Sequence, residues 1–104
     1  MVILNQDKDK CINSQMIYSL SVEKITHEGK TDYIIACYSS YDCMNYISLA
    51  TYGTEEKAKA EIQKLIEKIL YSDITFKEQT FEGFQNQSYE MQKRIIKDYI
   101  YQMP

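Results

Sequence analysis

The chain has 104 residues, a net charge of −3 and a hydrophobic share of 44%. This length is typical of one domain, and the apolar share is sufficient for a hydrophobic core. The negative charge argues against direct nucleic-acid binding, which relies on lysine and arginine to neutralise phosphates. No apolar run approaches the ~18 residues of a membrane span, and the first residues lack a signal-peptide pattern. A single cytoplasmic domain over residues 1–104, with no membrane contact, is therefore predicted.

The first half of the chain, residues 1–52, is predicted to form an antiparallel β-meander of four to five strands. Short or alternating apolar segments separated by polar turns indicate strands. These segments are Val2–Leu4, Cys11–Asn13, 16–26, 33–38 and 44–52. The loop between the third and fourth segments contains Gly29, where a hairpin turn often needs a positive φ.

Residues 54–71 are predicted to form an amphipathic helix packed on one face of this sheet. Thr54 is a suitable N-cap, and Glu55 and Glu56 follow where the helix dipole favours negative charge. Apolar residues recur at helical spacing, which predicts one buried stripe. The stripe consists of Ala58, Ile62, Leu65, Ile66, Ile69 and Leu70.

Beyond this helix we predict a loop over residues 72–87 and a second α-helix over residues 88–103. The second helix has its own apolar stripe, at Gln92, Ile95, Ile96, Tyr99, Ile100 and Met103. On a helix Tyr101 would lie off this stripe and stay exposed. We therefore expect an interaction surface that includes Tyr89, Arg94, Tyr99 and Tyr101, because tyrosine is frequent at binding hot spots. The alternative is that the second helix only completes the core of the monomer.

Nothing in the sequence indicates a catalytic centre, a cofactor or a metal. Phosphate-binding loops, nucleophile elbows and paired zinc ligands are absent. The three cysteines, Cys11, Cys37 and Cys43, form no CxxC pair and are predicted to be free thiols. The lone His27 falls in a predicted hairpin loop, without an acidic partner and a nucleophile to make it catalytic. The chain is therefore predicted not to be an enzyme.

Three segments carry a resemblance to known proteins: residues 3–7, residues 11–13 and residues 49–58, the last of which opens the first helix. With a tyrosine-rich meander between them, they resemble a loose group of small uncharacterised proteins of low-GC Gram-positive bacteria and their phages. The resemblance covers about residues 1–70 and leaves out the predicted second helix. It implies a bacterial cytoplasm and a prophage or mobile element as context.

Two functions from different classes are open. The first is a protein-binding module that acts by occupying a protein partner, or a second copy of itself as a homodimer. By analogy with phage accessory proteins of this size and charge, its target would be a bacterial defence system such as CRISPR–Cas. The second is an oligomeric binder of a small molecule or signalling nucleotide. Ten tyrosines favour the first, and a single arginine with three glycines disfavours the second.

Overall fold

The computed structural model describes residues 1–40, 44–77 and 100–104. These residues form a mixed α+β fold, as predicted. The strands are β1 (Val2–Leu4), β2 (Cys11–Asn13), β3 (Ile17–His27), β4 (Lys30–Ser39), β5 (Tyr46–Tyr52) and β6 (Ile100–Gln102), and the helix is α1 (Glu55–Lys77). None of the described helices is both long and apolar enough to pass through a bilayer.

The main sheet is antiparallel and has three strands, in the order β3-β4-β5. The predicted single meander of four to five strands is therefore wrong, because β1 and β2 belong to a second sheet in the order β2-β1-β6. A 3₁₀ turn at Ser14–Met16 separates β2 from β3 and redirects the chain before the long strands begin. Within the small sheet, β1 pairs antiparallel with β2 and parallel with β6.

A two-residue turn joins β3 to β4. Glu28 and Gly29 have φ values of 50° and 78°, and they lie between the paired residues His27 and Lys30. Two consecutive positive φ values define the turn type that matches the twist of a hairpin. The predicted hairpin and the positive φ of Gly29 are confirmed.

The helix α1 begins as predicted and ends later than predicted. The Lys57 backbone N–H donates to Thr54 Oγ1 at 3.2 Å, which confirms Thr54 as the cap. The helix continues past Tyr71 to Lys77, so the first residues of the predicted 72–87 loop are helical.

The helix packs on the main sheet with a narrower stripe than its sequence suggests. Ala58 and Leu65 are fully buried, and Ile62 and Ile69 pack against the core. Ile66 is 37% exposed and Leu70 is 58% exposed, so the prediction that they are buried is wrong. An apolar stripe that covers too wide an arc leaves its margins outside the contact with a flat sheet.

Both sheets contribute to one hydrophobic core. Besides the buried helix residues, its members come from the small sheet and the inner face of the main sheet. They are Met1, Ile3, Ile12, Ile35, Cys37, Leu49, Ala50, Tyr52 and Met103.

Residues 100–102 form a strand, so the prediction of helix up to residue 103 is wrong there. The pairing partners are Val2 with Ile100, Ile3 with Tyr101 and Leu4 with Gln102. The Met103 N–H extends this contact by donating to Leu4 O at 3.0 Å. Pairing with a distant strand outweighs local helical periodicity at these positions. Residues 88–99 of the predicted second helix, and 78–87 of the predicted loop, lie outside the described residues.

Candidate functional site

The four predicted interaction residues are Tyr89, Arg94, Tyr99 and Tyr101, and only Tyr101 lies within the described residues. It sits in β6, is half-buried and packs against the core. Burial raises the pKa of its phenol, and the nearby carboxylate of Glu61 raises it further. The prediction that Tyr101 is exposed assumed that it lies on a helix, so it does not apply to a residue in a strand.

A different apolar surface is open to solvent. A groove of about 340 Å³ lies between the start of β3 and the second half of α1, and we call it the β3–α1 groove. Its apolar lining comes from Ile17, Tyr18, Leu20, Ile66, Ile69 and Leu70. The two elements that flank it are both anchored in the core, so the groove has firm walls.

Two irregularities expose the apolar side chains of this groove. The β3–β4 register shifts between Ile17 and Ser19, so Tyr18 has no opposite residue in β4. Such a bulge re-aims side chains, and Tyr18 is 71% exposed. The second is the margin of the helix stripe, where Leu70 is 58% exposed. Contiguous exposed apolar side chains commonly mark interaction sites.

The groove also contains an unsatisfied polar atom. Ser14 lines the groove, is 8% exposed, and its Oγ has no hydrogen-bond partner among the described residues. A buried hydroxyl without a partner costs free energy, on the order of 1–3 kcal/mol. The Oγ itself is shielded from solvent, so this cost belongs to the packing of the fold.

A second polar site lies on the buried side of α1. Glu61 is 1% exposed, and its Oε1 accepts from Lys57 Nζ at 2.8 Å and from Lys64 Nζ at 3.3 Å. The hydrogen bond from Lys57 is the main reason that the pKa of Glu61 is lowered despite burial. Burial, together with this carboxylate, raises the pKa of Tyr52 to about 12. The Glu61 carboxylate is therefore ionised at neutral pH, and the Tyr52 phenol is neutral.

The outer face of the main sheet has a smaller polar cluster. Tyr38 Oη donates to Glu23 Oε1 at 2.9 Å, and Ser21 Oγ donates to the same oxygen at 3.3 Å. The hydrogen bond to Glu23 raises the pKa of Tyr38. The Tyr46 ring packs edge-on against Tyr38 with 5.9 Å between centroids. These contacts hold the Tyr38 ring in place and use its hydroxyl within the fold.

Cys11, Cys37 and His27, which the structure describes, lie in different surroundings. Cys11 is exposed and free, and Cys37 is buried and free, while Cys43 lies outside the described residues. Burial raises the pKa of Cys37 to about 11, so it is protonated at neutral pH. His27 is exposed at the hairpin, with Nε2 3.7 Å from the Glu28 carboxylate. Over residues 1–40, 44–77 and 100–104, no group of three or more metal-ligating side chains is present.

No protein family, curated protein or solved structure matches this chain. Among the described residues, the β3–α1 groove is the site that the geometry favours. The alternation of β3 does not predict the groove, because it contains no signal for the bulge at Tyr18. The one available signal was the six-position apolar stripe of α1, which is wider than a sheet contact needs.

Proposed function

We propose that this chain is a small non-catalytic protein-binding module that acts by occupying a protein partner through the β3–α1 groove. The observation that carries the proposal is the exposure of Tyr18, Ile66 and Leu70 along one open groove. The backbones of β3 and α1 are already ordered by the core, so a partner that covers the groove orders side chains but no loop, which limits the entropy cost of binding.

The chemistry of the groove suits a protein surface better than a small charged ligand. Its walls are apolar apart from Ser14 and Ser19, and the lining includes no charged side chain. A phosphate or carboxylate ligand would need arginine, lysine or an array of backbone N–H groups. An aromatic anchor such as Tyr18 is instead the residue type that often dominates protein interfaces.

For the partner we propose a component of a bacterial defence system such as CRISPR–Cas, inhibited by an accessory protein of a phage or mobile element. The support is the bacterial and phage context that the sequence resemblance implies, together with small size and a net charge of −3. An acidic protein of this kind inhibits by steric occupation, without chemistry of its own.

The test compares two neighbouring substitutions on α1. Leu70 lines the groove and Tyr71 does not, yet the two are 58% and 59% exposed. We expect Leu70→Glu to lower recovery of a phage from CRISPR–Cas interference by ten-fold or more in cells expressing the chain, because a charge enters the apolar contact. Tyr71→Glu adds the same charge outside the groove and should act as wild type.

Purified components then identify the partner. Tagged wild-type chain should retain one interference protein on affinity resin, and the Leu70→Glu variant should not. Equal protection by both variants would exclude the groove as the docking surface. Absence of any protection by wild type, against several interference types, would exclude the proposed target class.

A further inference from the structure

We draw no further inference here: the strongest candidate, the exposed apolar patch of Tyr18, Ile66 and Leu70 at the margin of the β3–α1 groove, belongs to the site already described, and nothing among the described residues shows what covers it.

Discussion

Glu61 places a carboxylate among the buried residues of α1, between Ala58 and Leu65. Its Oε1 has two ammonium partners, whereas its Oε2 has none among the described residues. A buried charge is tolerated when it is paired and becomes costly when a partner is removed. The two lysines therefore matter more for stability than most surface lysines do.

Removing the two lysine charges should expose this dependence. We expect Lys57→Met combined with Lys64→Met to lower the free energy of unfolding by about 1–3 kcal/mol, because the buried carboxylate loses its partners, although the exposed ammonium groups are partly screened by solvent. In a Glu61→Leu background the same pair of substitutions should change the free energy of unfolding only slightly, because no buried carboxylate is left unpaired. Urea denaturation of the four variants checks this, and an equal loss in both backgrounds would show that the lysines act independently of Glu61.

The same carboxylate predicts how stability depends on pH. The pKa of Glu61 in the folded chain lies below its ordinary value of 4.5, mainly because of Lys57. Because folding lowers this pKa, the ionised carboxylate stabilises the fold fully above pH 4.5, its ordinary pKa. The contribution is lost as the pH falls through the lower pKa of the folded chain. Glu61→Leu should therefore flatten the acid side of the stability profile in thermal melts between neutral and acidic pH. A parallel acid limb in the variant would contradict the assignment.

At the scale of elements, α1 carries two adjacent residues with opposite surroundings. Leu65 is fully buried and Ile66 is 37% exposed. We expect Leu65→Ala to cost about 2–5 kcal/mol through cavity formation. Ile66→Ala should cost no more than ~1 kcal/mol, because it buries less and alanine favours the helix. Urea melts at one low protein concentration provide the comparison, and similar losses would place Ile66 in the core.

Local sequence signals are sufficient to predict the features that residues close together in the sequence determine. The Thr54 cap, the helical period of α1 and the Gly29 turn are all set within a few residues, and all were predicted. The main-sheet strands followed from their alternation. The strand β6 was not predicted, because three residues are too few for an alternation signal and they pair with β1 across almost the whole chain.

The candidate site was less predictable than the fold for a related reason. A bulge at Tyr18 depends on how β3 fits against β4, which the sequence of β3 alone does not encode. Likewise, which side of a wide apolar stripe stays exposed depends on the sheet beneath it. Leu70 was thus identified as apolar and periodic but was wrongly expected to be buried.

At the scale of the whole molecule, Gln6 connects the two sheets. Its Oε1 accepts from the Thr51 N–H of β5 at 2.7 Å, and its Nε2 donates to Pro104 O at 2.8 Å. Gln6→Ala should lower the free energy of unfolding by about 1–2 kcal/mol, because the two side-chain hydrogen bonds are lost. Gln63→Ala is the matched control, because the Gln63 amide donates to Glu67 on the exposed surface of the helix. Such a side-chain pair contributes only about 0.2–0.5 kcal/mol. Equal melting temperatures for the two variants would show that the sheets hold together without Gln6.

The contacts of β6 also bear on the order in which the chain assembles. Gln6 and Pro104 are 98 residues apart in sequence, and Asn5 and Gln102 are 97 apart, whereas the β3–β4 hairpin closes over two residues. Closing a long loop costs more chain entropy than closing a short one, and topologies rich in distant contacts fold slowly. The hairpin is therefore expected to form early, and the small sheet to be completed last, when β6 reaches β1. Until that step, β1 pairs with β2 alone, and the core lacks Met103, so the place that this side chain fills stays open to water.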